Sequence, residues 1–274
     1  MRISISNIAW APEDDERVGA LLRERGVDAV DLAPGKYFAD VTAVTDAELA
    51  EVRGAWEARG LEVVGMQSLL FGTEGLNVFG PAPVRQRMLD YLDAVCRIGG
   101  GLGAGHLVFG SPRNRDRSDL EDDAADAAAV EFFRRLGDRA LAHGVCVTLE
   151  PNPTAYGANF MTTSTETARI VRLVDHEAIR MQLDLGACAM NEEDVVRVVE
   201  ESADLVGHIH LSEPRLAPLG DGATDHRRAP AALEEHLADR VACIEMLMTT
   251  EEPATESVER AVDFAVANYR GAAS

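Results

Sequence analysis

The chain has 274 residues, of which 46% are hydrophobic and 5% aromatic, enough for one large core built mainly from Ala, Val, Leu and Ile. Its net charge is −21, from 47 acidic and 26 basic side chains. Because so acidic a surface repels phosphate backbones and anionic lipids, we expect no nucleic-acid partner and no membrane partner. Four scattered cysteines and the lack of an apolar signal sequence favour a cytoplasmic protein.

Short β-like runs alternate with longer helix-like segments along the chain. The first run, RISISNIAW, precedes a helix that should end at Gly26, and the second, VDAVDLA, precedes a helix that Thr45 should cap. LEVVGMQSLL and GHLVFGS follow, the latter before a long helix over 118–144. The last four runs are VCVTLEP, IRMQLDLG, VGHIHLSEP and VACIEML, and a final helix should cover 256–269.

Eight strand–helix units in one chain predict an α/β protein with the (β/α)8 TIM barrel fold, as a single domain over residues 1–274. The alternative is an open doubly wound sheet, but no GxGxxG motif follows the first run. The glycine cluster GGGLGAG at 99–105 precedes a strand instead of opening a helix. It is therefore weak evidence for a phosphate site.

Four of the later runs carry a side chain that can bind a metal near the C-terminal end, where such barrels build their sites: Glu150, Asp184, His210 and Glu245. Buried carboxylates need a partner, and no lysine lies nearby. A divalent cation among three carboxylates and one imidazole would meet that need. His208 shares a face of its strand with His210 but lies one layer deeper, which favours a hydrogen-bonded neighbour of the site.

These residues and the motifs LEPNP, QLDLG, HIHLSEP and IEM, in that order, resemble the sugar phosphate isomerase/epimerase superfamily, the xylose isomerase-like TIM barrels. Within it the chain is most similar to the ketose 3-epimerases of the D-tagatose and D-psicose group, over nearly its whole length. The resemblance implies Mn²⁺, Co²⁺ or Mg²⁺ bound by those four residues. The oxygen-rich ligand set agrees, because it suits hard divalent ions better than zinc.

The resemblance also implies the reaction. A ketose or ketose phosphate would be epimerised at C3 through an enediolate, with Glu150 and Glu245 as the acid–base pair. The substrate would be a small sugar or sugar phosphate. We further expect a homo-oligomer, either a dimer or a tetramer.

Two departures from the ketose 3-epimerases concern the sugar contacts. A substrate-binding His expected three residues after the strand-six Asp is Ala187 here. An Arg expected six residues after the metal-binding His is Leu216, and Arg215 lies one place early. The contacts must therefore differ, and we expect Arg215, Glu213 and His208 to take part in substrate binding.

The segment GSPRNRDR after the fourth strand offers two further candidates, Arg113 and Arg115. A guanidinium group suits phosphate or carboxylate, so both could bind the substrate. The other interpretation is a solvated loop.

Other activities share the first chemical step or the fold. An aldose–ketose isomerase, a keto-inositol dehydratase and a C-glycoside deglycosidase would all begin with a deprotonation next to a carbonyl. The net charge disfavours a DNA-binding endonuclease IV, and the loop position of Lys36, the only lysine, disfavours a Schiff-base aldolase. A hydride-shift xylose isomerase would need a second metal and a barrel lysine. The non-enzyme alternative is a degenerate sugar-binding barrel, which a missing metal ligand would have supported.

Overall fold

Eight parallel strands close into a barrel in chain order in the computed structural model, which describes residues 1–118 and 120–270. The predicted (β/α)8 barrel is therefore confirmed. The strands are β1 (Arg2–Ser6), β2 (Ala29–Leu32), β3 (Glu62–Met66), β4 (His106–Phe109), β5 (Cys146–Leu149), β6 (Ile179–Asp184), β7 (Val206–Ser212) and β8 (Val241–Glu245).

Helices surround this barrel and cover its apolar outer face. Within the described residues they are α1 (Asp15–Glu24), α2 (Asp46–Ala58), α3 (Ala82–Leu102), α4 (Asp122–Ala142), α5 (Ser164–Val174), α6 (Leu185–Met190), α7 (Val195–Ser202), α8 (Ala229–Leu237) and α9 (Ala254–Tyr269). None of these described helices combines the length and the hydrophobicity needed to cross a bilayer.

Local sequence signals explain several of the element ends. Thr45 caps α2 as predicted: its side chain accepts a hydrogen bond from the Glu48 N–H, and the Glu48 carboxylate accepts one from the Thr45 N–H. The predicted first run is shorter than expected, because its last residues form a short 3-10 turn at Asn7–Ala9. The glycine cluster lies at the end of α3, where a Cβ at Gly101 would come within 2.6 Å of Leu49. Glycine thus lets α3 approach its neighbour closely.

Strand register determines which side chains meet at the C-terminal end of the barrel. Asp184 lies beside His210 across the β6–β7 pair, and Ser212 lies beside Glu245 across β7–β8. Glu150 comes directly after β5. Because the carboxyl ends of parallel strands share one edge, these side chains converge on the same mouth of the barrel.

Candidate metal centre and its cavity

The structure brings the four predicted metal ligands together at the mouth of the barrel. One ligand atom from each of Glu150, Asp184, His210 and Glu245 lies within 4.8 Å of all the others. All four side chains are buried, with exposed fractions between 0% and 7%. Such a cluster of Glu, Asp and His could bind a divalent metal ion.

The ligand atoms converge on the Nδ1 atom of His210. This nitrogen lies 2.8 Å from Glu150 Oε1, 3.1 Å from Glu245 Oε2 and 3.9 Å from Asp184 Oδ2. Among the described residues, neither His210 Nδ1 nor Glu150 Oε1 has a hydrogen-bond partner of acceptable geometry, although both atoms are buried. Close, buried donor atoms that do not bond to one another are what a shared cation would require.

The second oxygen of each glutamate is held by an amide side chain. Gln67, directly after β3, donates from Nε2 to Glu245 Oε1 over 2.7 Å. Asn152 donates from Nδ2 to Glu150 Oε2 over 3.2 Å. Each glutamate therefore has one oxygen fixed by a neighbour and the other directed at the centre. Hydrogen bonds of this kind orient metal ligands and tune their affinity.

Asp184 follows the same arrangement with different donors. Its Oδ1 accepts hydrogen bonds from the Ser212 hydroxyl and from the backbone N–H of Ala187, each over 2.7 Å. Asp184 thereby caps α6, while its Oδ2 faces the centre. The sequence interpretation missed Ser212, Gln67 and Asn152. Their common signal is a neutral polar side chain at or just after the end of a buried strand.

The electrostatics of the cluster also call for a cation. Burial raises the pKa of Asp184, and the negative charges of Glu150 and Glu245 raise it further, to about 7. Burial alone would lower the pKa of His210, but Glu245 and Glu150 raise it well above its usual value. Three buried carboxylates whose oxygens lie within 4.8 Å of one another thus repel one another. A divalent ion would offset two of their three negative charges.

Arg115 was predicted to contact the substrate, but its side chain does not line the cavity. Its side chain is fully buried, with Nη1 donating to the backbone carbonyl of Glu150 over 2.6 Å and Nη2 donating to Asn152 Oδ1. It therefore supports the residues that orient Glu150, and its contact with the substrate stays a prediction. Arg113 is exposed and is not among the described residues that line the cavity, so the solvated-loop interpretation applies to it.

His208 and Glu213 also lie outside the cavity. His208 is fully buried below the mouth, where its Nε2 lies 2.8 Å from Asp31 Oδ2. Glu213 is 1% exposed and accepts hydrogen bonds from the Thr224 N–H over 3.0 Å and from His226 Nε2 over 2.8 Å. Burial opposes ionisation of Glu213, but these donors lower its pKa to about 2. Both side chains thus have structural partners, and their contacts with the substrate stay predictions.

A cavity of about 650 Å³ opens above the cluster. Glu150, Asp184 and Glu245 form part of its floor, and Lys36 and Arg215 are its cationic residues among those described. Arg215 thus lies where a substrate contact was predicted. Its backbone is in the left-handed region (φ 61°), and the Tyr156 hydroxyl accepts a hydrogen bond from its N–H over 2.8 Å. Such strained backbone often occurs at functional sites.

Solved structures similar in fold include epimerases of several sugars. A D-psicose 3-epimerase determined in the presence of D-fructose shares 17% identity, covers 99% of this chain and 100% of its own, and has a TM-score of 0.82. The D-psicose 3-epimerase of Clostridium cellulolyticum H10, determined with D-tagatose, has 16% identity and a TM-score of 0.82, and the match covers 98% of this chain and 99% of that one. The 3-keto-D-glucoside 4-epimerase of E. coli has 19% identity and a TM-score of 0.77, and the match covers 96% of this chain and 98% of that one.

These likenesses establish the shared fold. No curated protein matches the chain. The model of the family described as the xylose isomerase-like TIM barrel matches residues 20–266, most of the chain. The predicted resemblance is thereby confirmed, and the chain belongs to the xylose isomerase-like TIM barrel family.

Proposed function

We propose that the protein is a divalent-metal-dependent epimerase that inverts C3 of a ketose or ketose phosphate. One observation carries the proposal. At the floor of the cavity, three carboxylates each have one oxygen held by a hydrogen bond and the other directed at His210 Nδ1. Membership of the family and the epimerases among the structural neighbours support the same reaction class.

The metal would be held by Glu150, Asp184, His210 and Glu245, all of them buried. Three carboxylate oxygens and one imidazole nitrogen suit Mn²⁺, Co²⁺ or Mg²⁺, and we propose Mn²⁺ first. When bound, the ion would polarise the sugar carbonyl and so make the neighbouring C–H bond more acidic.

Glu150 and Glu245 would move the proton. They approach the cavity from different strands, β5 and β8, so they can address opposite faces of one carbon. One glutamate begins as the carboxylate and takes the C3 proton, and the bonding electrons delocalise into the carbonyl as an enediolate. The other begins as the carboxylic acid and donates its proton to the opposite face of C3. The centre is inverted, and the two glutamates have exchanged protonation states.

Gln67 and Asn152 would keep this pair oriented, because each donates a hydrogen bond to the outer oxygen of one glutamate. Arg215 would contact a hydroxyl or phosphate group on the part of the sugar remote from the metal, since it lines the same cavity. A cytoplasmic location fits the four free cysteines of the described residues. We also propose that the protein forms a homo-oligomer.

Metal content provides the first test. We expect about one divalent ion per chain in the wild type and a large loss in Asp184→Asn, because one site-facing oxygen loses its charge. Asp204→Asn is the matched control, since Asp204 is an exposed surface acid. Elemental analysis of the three purified proteins gives the answer, and equal metal in wild type and Asp184→Asn would contradict the assignment.

Solvent deuterium provides the test of the reaction. The Mn²⁺-loaded protein is incubated in D₂O with a panel of ketoses and ketose phosphates, and the products are followed by NMR. We expect a C3 epimer with deuterium at C3, whereas deuterium at C1 or C2 would indicate aldose–ketose isomerisation. A dehydrated or cleaved product would indicate a lyase. Product without solvent deuterium at any carbon would exclude the exchangeable two-glutamate mechanism.

A further inference from the structure

Four exposed apolar side chains surround the mouth of the cavity. Their exposed fractions are 86% for Phe71, 49% for Leu247, 50% for Met248 and 39% for Tyr156. All four line the same cavity as the metal cluster, and they come from the segments that follow β3, β5 and β8. We call these four residues the apolar rim.

Exposed hydrophobic side chains are clustered at the apolar rim. Of the seven large hydrophobic side chains that are exposed among the described residues, four belong to it. Single exposed apolar side chains are ordinary, but a group of them at a concave site commonly marks a binding surface. The wall below the rim is apolar as well, through the buried Leu69 and Leu70. The cavity is therefore polar at its floor and apolar at its mouth.

The mouth is poorly suited to a phosphate group. Lys36 and Arg215 are the cations among the described residues that line the cavity. The Lys36 ammonium group already donates hydrogen bonds to the backbone carbonyls of Asn7 and Trp10, and burial lowers its pKa. Arg215 would face a phosphate without a second free cation, in a chain of net charge −21.

The volume of the cavity indicates a larger ligand than a free sugar. A cavity of about 650 Å³ lies within the range of roughly 300–1,000 Å³ that proteins use for drug-sized ligands. A free ketose with its carbonyl at the polar floor would leave the rim in contact with water. An apolar group attached to the far end of the sugar would cover it.

We propose that the substrate carries an apolar substituent, such as an aryl or alkyl group, at the end remote from its reacting carbons, and that this group packs on the apolar rim. The inference rests on the proposed function, because the floor must hold the reacting end of a sugar. It narrows the substrate class from free or phosphorylated sugars to sugars with an apolar substituent.

Isothermal titration calorimetry on the Mn²⁺-loaded protein tests the inference with three probes: D-fructose, D-fructose 6-phosphate and 6-O-benzyl-D-fructose. We expect the benzyl ether to bind at least tenfold more tightly than D-fructose, and the phosphate to bind no more tightly than D-fructose. Tighter binding of the phosphate than of the benzyl ether would overturn the inference.

Variants locate the effect. Phe71→Ser and Met248→Ser should reduce the ratio of benzyl-ether to D-fructose affinity towards one. Leu173→Ser should leave the ratio unchanged, since Leu173 is 44% exposed and lies on α5, outside the cavity lining. A ratio that is the same in all four proteins would overturn the inference.

Two further outcomes are distinct. If the wild type binds D-fructose in a metal-dependent way and the ratio of benzyl-ether to D-fructose affinity is near one, this inference is overturned and the proposed function stays intact. If no probe shows metal-dependent binding, both are overturned. A wild type that is oligomeric, becomes monomeric on Phe71→Ser and shows a ratio near one would assign the rim to a second copy of the chain, which also overturns the inference.

Discussion

Replacing Gln67 with Leu tests whether the outer hydrogen bonds make the cluster a metal site. Gln67 is 3% exposed and donates to Glu245 Oε1 over 2.7 Å. Leu approximates the volume of Gln but cannot donate, so Glu245 keeps its charge and loses its orienting partner. The substitution leaves every proposed ligand in place, so any loss of affinity comes from orientation.

The expected size of the effect follows from the hydrogen bond. A buried hydrogen bond to a charged group contributes about 1.5–3 kcal/mol, and loss of an outer partner of a metal ligand typically reduces affinity about 10–100-fold. The two ranges agree, because about 1.4 kcal/mol corresponds to a tenfold change in affinity. We therefore expect Gln67→Leu to raise the Mn²⁺ dissociation constant about 10–100-fold.

The assay is a Mn²⁺ titration followed by electron paramagnetic resonance of the free ion. Gln86→Leu is the matched control, because Gln86 donates to the exposed Asp90 over 2.8 Å, far from the site. We expect it to bind Mn²⁺ as the wild type does. A Gln67→Leu protein whose dissociation constant lies within about twofold of the wild type, well below the roughly tenfold minimum that such partners typically contribute, would refute the orienting role.

Two further predictions concern the surroundings of the cluster. Gly110→Ala should weaken Mn²⁺ binding at least about tenfold, because a Cβ there would lie 2.0 Å from Glu150 Oε2 and displace it. Gly54→Ala, where a Cβ meets nothing within 4 Å, is its control in the same titration. Asp31→Asn should lower the free energy of unfolding in urea at pH 7 by about 1.5–3 kcal/mol, because a neutral amide replaces the carboxylate in the buried hydrogen bond with His208. Burial opposes ionisation of Asp31, but His208 lowers its pKa from 3.8 to about 2, so its stabilising contribution is complete above pH 3.8. The difference between the two proteins should shrink as the pH falls from 3.8 towards 2, and a difference independent of pH there would contradict this account.

Charged interruptions of apolar strands made the cluster predictable from the sequence. Glu150, Asp184 and Glu245 each break an apolar run at its C-terminal end, and the barrel fold brings such ends together. The alternation of strands and helices likewise predicted the barrel, because its periodicity is local.

Side-chain direction was the part that the sequence could not supply. Arg115 follows β4 as a surface arginine would, yet it turns inward to the Glu150 carbonyl, a contact between residues 35 apart. Glu213 follows His210 closely but is bound by the loop that contains Thr224 and His226. Such contacts depend on how loops fold back, and no local pattern encodes that. Gln67 was not predicted as part of the site, because its uncharged amide does not interrupt an apolar run as a carboxylate does.

The hydrogen bond between Gln67 and Glu245 joins residues 178 positions apart in the chain. Every proposed ligand lies at or beyond Glu150, whereas the donor that orients Glu245 lies in the first half of the barrel. A fragment that begins between β4 and β5 would contain the complete ligand set and still lack Gln67, the donor for Glu245. High affinity for the ion should therefore arise late in folding, when β8 closes against β1 and the two halves are joined. Metal binding would then select the completed barrel over every partly assembled form.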